Sequence, residues 1–220
     1  MAQISTCIPP EIKTIQSPCD YATYWQELEE KGKDHYGSNF HLRSEDAAVW
    51  IKLLAWMKAD EAVAADYKIA LHKGIMLCGP VGVGKTSMMQ LLKAVVKPEE
   101  PYKIYSCREI AFEFSRKGFE VVQHYGHGSY YGYPYTPEAC CFDDLGLEMI
   151  MQHYGVPCNV MGEIFLNRYD HFINHGMLTH ITTNLTSDEL AARYGARILS
   201  RMRQMLNLVA FDRGTADKRM

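Results

Sequence analysis

At 220 residues, with 47% apolar and 22% charged residues, the chain has the size and composition of one ordinary globular domain that can bury a core without disulfide staples. Its 23 Lys and Arg against 26 Asp and Glu leave a formal net charge of -3, so no overall basic excess marks it as a nucleic-acid binder, although a local basic face would suffice. Seven cysteines without a C-x-x-C pair read as reduced core residues. The chain has no apolar run near the roughly 18 residues of a membrane span and no basic, apolar start of a secretion signal, and this predicts a cytoplasmic protein off the membrane.

Residues 1–43 are expected to form a leader, broken by Pro9, Pro10 and Pro18, with one short helix over 21–31; it either binds a partner or packs on the domain that follows. The domain is taken as 44–220. Ser44 reads as an N-cap, after which Ala47, Trp50, Ile51, Leu54 and Met57 recur at helical spacing, and a second helical piece is expected over 62–71. Trp50 and Trp56 read as packing residues rather than base-stacking devices.

The short apolar run 74–78 predicts a buried strand. It leads into Gly79-Pro80-Val81-Gly82-Val83-Gly84-Lys85-Thr86, which fits the phosphate-loop pattern G-x-x-x-x-G-K-[ST] at every constrained position. Glycines let successive N–H groups curl around phosphates, Lys85 reaches the β and γ oxygens, and the Thr86 hydroxyl ligates Mg²⁺. Met88, Leu91, Leu92 and Val95 place a helix after the loop, so the order is strand, loop, helix.

Beyond the stop at 97–101, a strand is expected over 102–106 and a helix over 108–117. The Gly- and Tyr-rich stretch 123–136 reads as a long exposed loop, either self-packed or presenting aromatic rings to unpaired bases. An apolar strand over 139–144 ends in two carboxylates. A carboxylate at the carboxyl end of a parallel strand beside a phosphate loop holds the metal shell, and its neighbour orients and deprotonates water, so Asp143 is assigned to Mg²⁺ and Asp144 to the water. Glu148, beyond the turn, is the secondary candidate for the base.

Pro157 is expected to open a long helix ending near Gly176, followed by a buried strand over 177–184 whose polar tip brings Asn184 to the water or the γ-phosphate. Thr186 and Glu189 have the form of a capping box at the head of a short helix to about Tyr194. A second helix over 196–205 places Arg197, Arg201 and Gln204 on one face, and a last strand spans 206–212.

The order of phosphate loop, Asp143-Asp144 strand, Thr182-Thr183-Asn184 strand tip and Ser200-Arg201 helix resembles the AAA+ ATPases. Within them it looks like the DnaC-type helicase loaders and the IstB-type transposition helpers, over roughly residues 45–212. The resemblance implies a three-layer α/β sandwich of the P-loop type with a parallel sheet in the order 5-1-4-3-2. It implies ATP and Mg²⁺ as ligands, Gly79, Pro80, Val81, Gly82, Val83, Gly84, Lys85 and Thr86 as Walker A, Asp143 and Asp144 as Walker B, and Asn184 as sensor 1. Arg201 falls at the arginine finger, which acts on a neighbouring subunit's nucleotide, with Arg197 as its backup. Self-association with ATP, a replicative helicase or a transposase as partner, and single-stranded or duplex DNA follow from the same resemblance. Two departures stand out: the second acid is Asp144 where many AAA+ enzymes carry Glu, and the eight residues after Asp212 leave no room for a helical lid. The alternatives are an IstB-like helper or a nucleotide-dependent adaptor with little turnover. A small-molecule kinase would need an acceptor pocket and an Arg-rich cover that the sequence does not offer.

Overall fold

The computed structural model describes residues 8–95, 102–127, 138–212 and 214–218. They fall into two compact units, one of residues 8–71 with 87–95 and the other of 72–86 with the described residues from 102 to 218.

The first unit holds α1 (Pro10–Lys13), α2 (Tyr21–Tyr36), a one-turn 3-10 helix (Ser44–Asp46), α3 (Ala47–Met57) and α4 (Glu61–Asp66), together with the body of α5 (Lys85–Val95). Trp25, Leu28, Trp50, Ile51, Leu53 and Leu54 are buried in it, so the expected leader carries core residues, and Trp50 packs as its spacing implied. Three details differ from expectation. The side chain of Ser44 caps nothing, because the chain enters α3 through the 3-10 turn. α2 runs on to Tyr36, stopping only where Gly37 takes a φ of 99°. α4 ends early, since Lys68 adopts a left-handed φ of 57°; its start is fixed by Asp60, which accepts from Val63 N at 3.2 Å and from the Tyr21 hydroxyl at 3.0 Å.

In the second unit, five strands form a parallel sheet: β1 (Gly74–Cys78), β2 (Lys103–Ser106), β3 (Cys140–Leu145), β6 (Thr179–Thr183) and β7 (Leu206–Ala210), ordered β2-β3-β6-β1-β7. Numbered among themselves, these strands read 5-1-4-3-2, the expected order. Three helices, α6 (Cys107–Lys117), α7 (Phe119–His127) and α8 (Val160–His175), and the kinked α9 (Ser187–Met205) supply Ile110, Phe114, Val121, Met161, Phe165, Leu190 and Met202 to a core on Met76, Phe142 and Ile181. Burial of these side chains is the main stabilising term.

Residues 123–127, expected in a loop, complete α7: the apolar Val121 and Val122 are buried, and Tyr125 packs its ring on Tyr105 and donates its hydroxyl to Glu113 at 2.9 Å. The remainder of that predicted loop lies outside the described residues. Arg168, fully buried on α8, donates to the carbonyls of Tyr125 (3.1 Å), Glu138 (3.0 Å) and Leu178 (2.7 Å), so backbone dipoles compensate its charge.

Pro157 does not open a helix. It lies in β5 (Val156–Cys158), which pairs antiparallel with β4 (Met151–His153) through a two-residue turn at Tyr154 and Gly155, with φ of 50° and 80°. A proline lacks the donor N–H and is tolerated in an edge strand such as this. Asn159 instead caps α8, accepting from Gly162 N at 3.2 Å. The Thr186–Glu189 capping box is formed, and Gly195, at φ 83°, breaks α9 into the two expected segments.

Candidate nucleotide site

The site is built where β1, β3 and β6 end. Residues Gly79–Thr86 leave β1 and bend into α5, with Gly82 and Gly84 at φ of 83° and 89°, a left-handed backbone that side chains resist. At Gly79 and Gly82 space is the second constraint: an added Cβ would stand 2.9 Å from Phe211 and 1.9 Å from the Asp217 carboxylate, respectively. Val83 is buried beneath the loop, while Val81 is exposed on it.

Lys85 is buried and donates to the carbonyls of Gly79 at 2.9 Å and Pro80 at 2.7 Å, and also to Asn184 Oδ1. The lysine and the asparagine just past β6, 99 positions apart, thus meet. The Thr86 hydroxyl donates to Asp143, with Oδ1 at 2.9 Å and Oδ2 at 3.1 Å. Thr182 donates its hydroxyl to Asp143 Oδ1 at 2.6 Å and accepts from the backbone N–H of Asp144 at 2.8 Å, locking both acids to β6. Asp144 itself has a φ of 56°, a strained geometry for a non-glycine, at a register irregularity between Phe142 and Leu145. At the base of the loop, burial pushes the Cys78 thiol up to about 11, with Lys85 partly opposing, so Cys78 stays a thiol; the six cysteines among the described residues are all free.

Sequence reasoning missed three contributors. Thr182 stood in a noted strand tip, but its alignment on Asp143 depends on the register of β3 against β6. Asp217 and Lys218 come back to the phosphate loop: Lys218 donates its backbone N–H to Gly82 O at 3.0 Å and its Nζ to Val83 O at 2.8 Å. Glu148 is buried and held by Tyr194 and Arg193 rather than turned to the other acids. Arg201 lies with its guanidinium 4.8 Å from the Tyr169 ring centre, and Gln204 accepts from the Tyr169 hydroxyl at 2.6 Å, so the two share a face as expected; Arg197 is exposed.

These residues fit a magnesium nucleotide. Loop glycines free of side chains leave backbone N–H groups to meet phosphate oxygens, and a hydroxyl beside a carboxylate is a hard oxygen pair. Among the described residues no cluster of three or more His, Cys, Asp or Glu forms a metal cage. Mg²⁺ is characteristically held by one or two protein oxygens together with phosphate and water, so Thr86 and Asp143 are the donor set that suits it.

No protein-family model matches the sequence, and no curated protein matches it. Solved structures match its fold. A crystal structure of the DnaC helicase loader is 18% identical with a TM-score of 0.56, covering 86% of this chain and 99% of that one. DnaI is 20% identical with a TM-score of 0.50, covering 74% and 85%, and AMPPCP-bound DnaA from Aquifex aeolicus is 16% identical with a TM-score of 0.51, covering 79% of this chain and 49% of that one. The resemblance to DnaC-type AAA+ proteins is thus met at the level of the fold: the chain is an α/β protein with a parallel five-stranded sheet, folded like these structures.

Proposed function

We propose that the chain is a Mg²⁺-dependent ATPase of DnaC-like type that acts in DNA replication by placing or remodelling a replicative helicase on single-stranded DNA. The observation that carries the reading is the convergence of Lys85, Thr86, Asp143 and Asn184 from three separate elements around one glycine loop. Bound Mg²⁺ would neutralise charge on the phosphates. The chain's own residues do the rest: Lys85 and the loop N–H groups hold the phosphates, Thr86 and Asp143 offer oxygens to the metal, Asn184 hydrogen-bonds the water or the γ-phosphate, and Asp144 orients the water and takes its proton. Helicase placement is supported by a fold likeness that spans nearly the whole of the DnaC loader.

Arg201 is assigned to the nucleotide of a neighbouring subunit, in keeping with its own contact being with Tyr169 rather than with the phosphate loop. ATP then drives self-association, residues 1–43 serve as a partner-binding segment, and the protein works in the cytoplasm. No helix among the described residues is long and apolar enough to cross a membrane.

Light scattering with and without ATP, joined to turnover assays across protein concentration with and without single-stranded DNA, tests this. ATP should raise the molar mass, and Arg201→Ala should bind ATP normally while losing about 10²-fold or more of the turnover of the assembled protein. An equal loss in dilute monomer overturns the action between subunits. Nucleotide binding with no turnover in any state makes the chain a nucleotide-dependent adaptor, and capture of a transposase in place of a helicase by residues 1–43 moves the reading to an IstB-like helper.

A further inference from the structure

Leu147, Met149 and Ile150 are 57%, 70% and 69% exposed, yet Glu148 among them is only 4% exposed. That inverts the order transfer energies favour, and a desolvated carboxylate persists only where donors compensate it. Gly146 N donates to Glu148 Oε2 at 2.8 Å, the Tyr194 hydroxyl donates to Oε1, and Arg193 brings Nε within 3.4 Å of Oε1 while donating to the Glu148 carbonyl. Burial, and then the Glu148 charge, push the Tyr194 phenol upward, so it remains a donor.

The segment these contacts hold is the turn that carries Asp144. It contains two left-handed residues, Asp144 at φ 56° and Gly146 at φ 105°, and is closed by Leu147 N donating to Asp144 O at 3.2 Å. Thr182 and Thr183 fasten it to β6, the latter donating its hydroxyl to Leu145 O at 2.7 Å. The Glu148 contact leads elsewhere, to the first half of α9, directly before the Gly195 kink beyond which Arg197 and Arg201 lie.

We infer that Glu148, Tyr194 and Arg193 are positioning residues that hold the Asp144 turn in its left-handed geometry and tie it to α9, so that ATP turnover depends on them while ATP binding does not. The inference rests on the proposed ATPase reading. A left-handed aspartate stays in place only while its surroundings over-determine it, and a misplacement of about 1 Å costs on the order of 10²-fold in rate. None of the hydrogen bonds of Glu148, Tyr194 and Arg193 goes to the phosphate loop, so affinity for the ground state is spared.

The test measures kcat, KM and the dissociation constant for a fluorescent ATP analogue in Glu148→Ala, Glu148→Gln and Tyr194→Phe, alongside melting temperature. Glu148→Ala should lower kcat about tenfold or more and Tyr194→Phe about threefold, with KM and the dissociation constant within about twofold of wild type. Glu148→Gln, which keeps an acceptor oxygen, should recover part of the loss. The double variant Glu148→Ala with Tyr194→Phe should be no slower than Glu148→Ala, because both act on one path. Should Glu148→Ala fail to fold, Tyr194→Phe, which deletes a single hydroxyl, decides. A kcat unchanged in Tyr194→Phe and Glu148→Gln, or affinity lost in step with rate, overturns the positioning role. Wild-type protein that binds the analogue yet never hydrolyses ATP overturns the ATPase reading beneath it, a distinct result.

Discussion

The loop after β1 and the end of β3 both force the chain into left-handed backbone at the edge of one candidate nucleotide site, one with glycine and the other with an aspartate. At Gly82 and Gly84 the φ of 83° and 89° costs no side-chain clash, so the cradle is relaxed before any ligand arrives. At Asp144 the φ of 56° is one that few non-glycine residues adopt, and the turn is held by Thr182, Thr183 and the buried Glu148. A loop meant to bind can be built from residues that fit. Asp144, the proposed catalytic carboxylate, is held instead by supports that come from distant elements.

The largest effect that separates the two regions is expected at Asp144→Asn. Asparagine tolerates the same left-handed φ but offers no base, so turnover should fall about 10²-fold or more while nucleotide affinity stays within about twofold. Equal loss of both in a titration and a steady-state assay would place Asp144 in binding and erase the distinction. Next is Gly84→Ala. Nothing lies within 4 Å of the added methyl, so the change isolates the backbone cost at φ 89°. Nucleotide binding should weaken about tenfold, as expected for 1–2 kcal/mol of strain in the cradle. Unaltered affinity by calorimetry would mean that the cradle conformation is not the binding conformation.

The last effect, on stability rather than on turnover or binding, concerns the floor that both regions share. His180 in β6 is fully buried, accepts from Ile75 N at 3.2 Å through Nδ1 and is pushed down to about 3 by burial, with Arg168 adding to the shift. Its folded value lies below the unfolded value of about 6.5, so the unfolded chain binds the extra proton. The stability that this histidine contributes is complete above about pH 6.5 and declines as pH falls toward 3, by up to about 1.4 kcal/mol per unit. Urea unfolding at pH 7 and pH 5 should show this slope, and His180→Gln should flatten it; an identical slope in the variant would assign the acid sensitivity to other groups.

Much of this was legible in the sequence, for local reasons. The glycine spacing of 79–86, the alternation of apolar runs with helical periods and the Thr186–Glu189 box are each satisfied by neighbouring residues, and the sheet order follows from the family pattern they resemble. What was hidden depends on distant pairing. The β4–β5 hairpin is two strands of three residues with a proline in one, too short for a period to show. α7 was masked by Gly126 and by Tyr125, whose ring and hydroxyl are held by Tyr105 and Glu113. Glu148 looks like any exposed acid until Tyr194, 46 positions later, closes on it. The return of Lys218 to Gly82 and Val83 likewise has no local signal.

The central claim is that residues 79–86 hold a magnesium nucleotide through Lys85. Calorimetric titration of ATP in Mg²⁺ into the purified chain and into Lys85→Ala tests it most directly. Wild-type protein should bind one nucleotide per chain, and the variant, which loses the ammonium group that reaches the phosphates, should bind at least about tenfold more weakly. Equal affinity in the two proteins, or no binding by wild type, would contradict it.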